Sequence, residues 1–202
     1  GVSAHISNNE HLHSANTISV SYNGSIAEAY YQTEPFWATD DVNVLYPKFD
    51  LNINIALFLT TIINREKYRF NYGRKWDKEL MKSSKIKLPI DNNGKPDWQW
   101  IENYVKETLI PKLPSKTKSV WKKEFDKTPL SPNKLQLNTE DWKRFRIDKY
   151  FDVILTKGDI KADRIEIGTI PLISSGESNI LCQPNGKHRC WICWLNRQPY
   201  TD

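Results

Sequence analysis

No stretch of this 202-residue chain comes near the ~18 consecutive apolar residues that a membrane-spanning helix requires. No basic region followed by an apolar one opens it, so secretion has no support and the expected compartment is the cytoplasm. Glycine is sparse at eight residues, and no glycine-rich loop follows a strand in the way a cofactor-phosphate cradle demands. Cysteine is scarcer still, at three residues within 182–193. An excess of charge of one sign is also small. Lys and Arg exceed Asp and Glu by five, and the pI is about 9.0, which permits a polyanionic partner without demanding one. With no evident nucleophile, base or cofactor loop, the chain is not expected to be an enzyme by itself, and no cofactor is expected.

What the sequence has in quantity is aromatic residues: eight Trp, nine Tyr and seven Phe, enough for a binding surface or a thick core. The most informative stretch is 18–88. Ile18, Val20 and their polar neighbours Ser19 and Ser21 alternate with the period of a half-buried strand. Asn23-Gly24 tolerates positive φ, which predicts a tight hairpin into a second strand over about 26–31, with a third over 42–46 closed by Pro47. Between 51 and about 67, Ile55, Leu57, Phe58, Leu59, Ile62 and Ile63 are too many for one face, so this helix is expected to pack on two sides. It runs into Tyr68-Arg69-Phe70-Asn71-Tyr72-Gly73-Arg74-Lys75-Trp76, where cations alternate with rings. Arg and Lys neutralise phosphates or read guanine edges, and rings stack on bases. The plainer alternative is that Tyr68, Phe70 and Trp76 anchor the loop while its cations are solvated.

The ordered string SYNGSIAEAYYQTEPFWATDDVNVLYP, then a helix, then YGRKW and IKLP, resembles the second half of a target recognition domain from the specificity subunit of type I restriction-modification systems. Type IIB and IIG enzymes carry similar regions. The resemblance implies an α/β (α+β) fold, a twisted mixed β-sheet with packed helices, followed by a helical spacer and a partial second recognition half-domain. It implies sequence-specific binding of double-stranded DNA on behalf of a methyltransferase subunit and a restriction subunit.

Asp97 is expected to cap a helix whose apolar stripe is Trp98, Ile101, Tyr104, Val105 and Leu109, ended by Pro111 and Pro114. A second short helix is expected over 116–125, bearing Lys116, Lys118, Lys122 and Lys123, a solvated face more readily than a DNA contact. These segments stand where the family's spacer begins, although the two prolines interrupt its long helix. Residues 127–138 read as a linker. Downstream, Trp142-Lys143-Arg144-Phe145-Arg146-Ile147, then Tyr150-Phe151-Asp152-Val153-Ile154, then 157–159, 161–164 and 168–176, resemble the opening of a recognition domain, and Gly1-Val2-Ser3-Ala4-His5-Ile6 reads as its continuation. The order is therefore permuted: a C-terminal recognition half over 1–95, spacer 96–126, linker 127–140, an N-terminal half over 141–179 and an atypical tail over 180–202. An open half-domain leaves sheet edges unpaired, so either a homodimer formed by half-domain exchange or closure of 141–179 onto 18–88 is expected.

Candidate DNA contacts are Ser21, Tyr22, Asn23 and Ser25 in the first hairpin loop, Tyr72, Arg74, Lys75 and Trp76 in the second loop, and Ser174 and Ser175 from the completing half. Three other features carry less. Asp40 and Asp41 would serve a metal-dependent nuclease, the alternative function, but no second acid with a correctly spaced Lys accompanies them, and a turn explains them better. His11 and His13 have no carboxylate or thiol pair nearby and are assigned no chemistry. Cys182, His188, Cys190 and Cys193 include one zinc-knuckle spacing, and a foreign terminus explains them as well; no metal is assigned. Asn196-Arg197-Gln198-Pro199-Tyr200 breaks the order of the base-holding Asn-Pro-Pro-Tyr motif and is set aside. A non-catalytic oligomerising remnant is the remaining alternative.

Overall fold

Asn52 starts the helix on which the core is built. Its backbone is extended and its side-chain oxygen accepts from the amides of Asn54 and Ile55, both at 3.0 Å, which satisfies two donors that the first turn leaves open. The helix that follows, α1 (Ile53–Arg65), buries Ile55, Ala56, Leu57, Phe58, Leu59 and Ile63, with β3 (Ala29–Gln32) against one side and α3 (Trp98–Tyr104) against another. Two-sided packing is what its excess of apolar positions requires. The computed structural model describes residues 2–7, 10–112, 138–158 and 166–175.

Around α1 the described residues form an α+β fold of three sheets. The largest runs β3-β2-β5-β8, with β2 (Thr17–Ser21), β5 (Val42–Pro47) and β8 (Phe151–Leu155), every pair antiparallel. A second runs β1-β9-β4, with β1 (Val2–Ile6), β4 (Trp37–Ala38) and β9 (Ile170–Ile173); β1 is antiparallel and β4 parallel to β9. The third is a two-stranded ribbon of β6 (Lys85–Leu88) and β7 (Lys143–Arg146).

β5 shows why the sequence reads as a nearly continuous apolar run there. Leu45 joins the core around α1, while Val42 and Val44 pack with Val2, Ala38 and Ile173 of the three-stranded sheet and with Phe36 just before β4. The four-stranded sheet is thus covered on both faces. The half-buried strand expected at Ile18 is therefore buried throughout: Ser19 and Ser21, in register with Val44 and Val42, lie under the second sheet, and Gln32 Nε2 donates to Ser19 Oγ at 2.8 Å. The edge strand β3 is closed by Asn64 of α1, whose Oδ1 accepts from the Ala29 amide at 2.6 Å.

The first hairpin is wider than Asn23-Gly24 suggests. β3 begins at Ala29 rather than near Ile26, and Ala27, with φ 63, accompanies Gly24, φ 64, in the left-handed region. Positive φ at two consecutive residues, as the tight turn needs, does not occur. β5 and β8 lie within a residue or so of the expected strands. Asp97 does cap α3, its Oδ1 accepting from the Trp100 amide at 2.8 Å, and Ile101, Tyr104 and Val105 are buried as the stripe requires. Pro111 does not stop the helical path, which widens to a π turn over Val105–Leu109 and tightens to a 3-10 turn over Ile110–Lys112. The widened turn rearranges the hydrogen-bond ladder just ahead of the proline, which has no amide to give. A short helix, α2 (Lys78–Ser83), precedes the ribbon, and another, α4 (Ile147–Tyr150), follows it.

β8, β9 and β7 all come from beyond residue 138, and each pairs with a strand from before residue 90. The later segment thus supplies partners for strands of the earlier one in all three sheets. The expected helix over 116–125, the linker and the tail with its cysteines lie outside the described residues, apart from the linker's last residues.

Candidate nucleic-acid interface

The two candidate loops have neighbouring roots. Residues 22–28 connect β2 to β3, and β2 ends at Ser21, in register with Val42 of β5. One residue further along β5, the buried Asn43 donates its side-chain amide to the Trp76 carbonyl at 3.2 Å, which fixes the end of the second loop. Paired strands lie about 4.8 Å apart, so both loops leave the same end of the sheet.

The second loop is a turn held by reciprocal backbone bonds between Asn71 and Arg74, at 3.2 and 2.9 Å, with Tyr72 and Gly73 at its tip. Phe70 and Trp76 clamp it from below: their rings stack at 4.4 Å and 12°, and Trp76 Nε1 donates to Ser84 Oγ at 3.0 Å. Trp76 is fully buried. As a direct DNA contact it is therefore corrected to a loop anchor. The plainer reading of the loop holds for Phe70 and Trp76 and fails for Tyr68, which is 82% exposed. Tyr72 is 78% exposed, with Lys75 Nζ 5.2 Å from its ring centroid, an arrangement that holds a cation beside a stackable ring. Arg74 is exposed and has no ion pair among the described residues.

In the first loop, Ser21 is buried, its amide donates to the Glu28 carbonyl and its own carbonyl accepts from Ala27, so it too is corrected from contact to framework. Tyr22 and Asn23 are half-buried. Asn23 Nδ2 donates to Asp41 Oδ1 at 2.7 Å, and the Tyr22 amide donates to the Asp41 carbonyl at 3.1 Å. Burial, with Asp41, Asp40 and Asp77 nearby, raises the Tyr22 phenol above its usual value, so it stays a neutral hydroxyl with both donor and acceptor capacity. Asp77 caps α2 directly after Trp76, and its influence on Tyr22 is a second sign that the loops adjoin.

The third contribution is Ser174-Ser175, which follows β9. The Ser25 amide donates to the Ser175 carbonyl at 3.0 Å. Gly24 lies so close that an added Cβ would sit 2.7 Å from Ser175 Oγ. The structure therefore brings the completing half against the first loop. Asp40 and Asp41 belong to the turn into β5, where the Val42 amide donates to the Thr39 carbonyl at 3.3 Å. Among the described residues, no group of three or more His, Cys, Asp or Glu side chains could hold a metal ion. His13 is occupied by Tyr46, Nδ1 to hydroxyl at 2.8 Å, and by stacking on Phe36.

The described residues thus form an α+β fold in which three irregular segments, 22–28, 71–75 and 174–175, gather at the end of a covered sheet. Residues 3–116 match the model of the type I restriction modification DNA specificity domain, and the chain belongs to that family. It is also 30% identical over 176 residues to the specificity subunit S.BcgI of a type II restriction enzyme from Heyndrickxia coagulans, an alignment covering 84% of this chain and 47% of the relative. The chain thus spans about half the length of that relative. No solved structure gives a significant match.

Proposed function

We propose that this chain reads a DNA target for a restriction-modification system, directing a separate methyltransferase subunit, and a restriction subunit where one is present, to its site. The observation that carries the reading is the junction of Ser25 with Ser175 beside the Tyr72–Lys75 turn in a chain of the DNA specificity family. Three loops from distant parts of the sequence offer polar groups, a ring and cations on one side. Tyr22, Asn23, Ser25, Ser174 and Ser175 would make polar contacts in a groove, Arg74 and Lys75 would reach phosphate or guanine, and Tyr72 would stack or press on a base edge. The chain would carry no catalytic group of its own and act in the cytoplasm. Among the described residues no helix is long and apolar enough to cross a membrane.

Half-domain exchange between two chains would form the β5·β8, β6·β7 and β1·β9 pairings in trans, giving the homodimer that the permuted order suggests. Selection of bound duplexes from a random pool tests the reading: enrichment of one motif supports it, and uniform recovery overturns it. Light scattering on the same sample separates monomer from dimer.

A further inference from the structure

We propose that the β6·β7 ribbon is a second DNA contact, a phosphate-backbone clamp flanking the base-reading loops; it rests on the DNA-binding reading above. The register of the ribbon sets Lys85 opposite Arg146 and Lys87 opposite Arg144. Residues directly opposite in an antiparallel pair, and residues two apart along a strand, share a face. Four cations therefore occupy one face. The other face sends Ile86, Leu88 and Phe145 into the core around α1.

Like charges placed directly across a ribbon destabilise it. Among the described residues one carboxylate, Asp148, answers this face, receiving Arg146 Nε at 3.0 Å, while Lys85, Lys87 and Arg144 have no ion pair there. Lys48 and Lys149 add further positive charge around Asp148. Such a face is stabilised by an external polyanion. Its composition favours phosphate over bases, since no amide or hydroxyl side chain stands among the four cations. The opposite side of the ribbon is packed against the core, so the ribbon can lie along a duplex but cannot sink into a groove.

Its position fits a flanking contact. Ser84, whose hydroxyl receives the Trp76 indole, immediately precedes β6, and its carbonyl accepts from the Ile147 amide at 2.9 Å just beyond β7. The same Trp76–Ser84 link thus seats both the Tyr72–Lys75 turn and the start of the ribbon. Residues two apart on a strand are about 6.8 Å apart, comparable to the rise along the helix axis of two charge steps on one DNA strand.

The test is salt titration of duplex binding by the full chain and by its Lys85→Gln/Arg144→Gln variant, using the selected motif and a random-sequence duplex. Both replaced residues are exposed, so the fold should survive, and circular dichroism checks it. The expected result is equal loss of affinity for both duplexes, unchanged preference between them, and a slope of log K against log salt shallower by about 1.8 for two released phosphates. The wild-type advantage at 50 mM salt then shrinks roughly tenfold by 200 mM. An unchanged slope in a folded variant would overturn the clamp while leaving DNA recognition standing. Loss of methyltransferase-subunit binding with DNA affinity intact would overturn it too, by giving the face to an acidic protein surface. A wild-type chain that binds neither duplex would overturn both readings.

Discussion

The Asn43 side chain reaches across from the central strand β5 to hold the Trp76 carbonyl at 3.2 Å, and it does so from a fully buried position. That bond ties the sheet carrying the first loop to the end of the second. Replacement of Asn43 by Ala leaves a buried carbonyl without its donor, a loss of about 1–3 kcal/mol. For a chain of this size that corresponds to a fall in Tm of a few degrees, and DNA affinity should fall with it. Asn43→Asp should be worse, because an acceptor then faces an acceptor. A thermal melt of both variants checks the order.

Trp76 and Tyr72 stand four residues apart in one loop yet should respond in opposite ways. Truncating the buried Trp76 to Ala removes its stack on Phe70 and its bond to Ser84, and should cost about 3–5 kcal/mol. Tyr72→Ala and Arg74→Ala touch exposed groups and should change stability by less than about 0.5 kcal/mol. Those two should lower DNA affinity without moving the melt. If Tyr72→Ala and Arg74→Ala leave affinity for target and random DNA unchanged, the turn is outside the interface.

Local chemistry made much of this legible in the sequence. The caps at Asn52 and Asp97 and the apolar excess of α1 follow from short-range rules. What the sequence hides is pairing. Lys85-Ile86-Lys87 and Lys143-Arg144-Phe145-Arg146 each show alternation alone, but only the long-range register turns two ordinary edges into one cationic face. The same gap explains Ser21 and Trp76: their residue types suit a DNA loop, and burial under a second sheet or beside Asn43 of the central strand is decided by elements far away in sequence. The hairpin misled because a side chain at position 24 would meet Ser175, so glycine there serves contact with the completing half as well as the local turn.

Gly24→Ala should therefore act at the junction between halves. Its φ of 64 is strained for alanine, and the new Cβ would approach Ser175 Oγ to 2.7 Å and the Ser175 carbonyl to 3.2 Å. A loss of about 1–2 kcal/mol is expected, with weakened preference for the target. Ser175→Gly in the same chain removes the hydroxyl clash and should recover part of the loss, leaving the backbone strain. A double-mutant cycle by denaturant melts reads the coupling, and strict additivity would show that the two residues do not meet in solution.

His13 supplies a pH dependence whose sign is fixed by its surroundings. Burial, in a site where the ring stacks on Phe36, lowers its pKa below the ordinary 6.5. The folded protein therefore favours the neutral ring, while the unfolded chain takes up a proton near 6.5. Above that value the difference costs nothing. As pH falls through 6.5 the unfolded state binds more protons than the folded one, so stability declines, and the decline levels off once pH passes below the lowered folded value. Chemical denaturation between neutral and mildly acidic pH should show this step, and His13→Gln should flatten it. A step of equal size in His13→Gln would assign the dependence to another group.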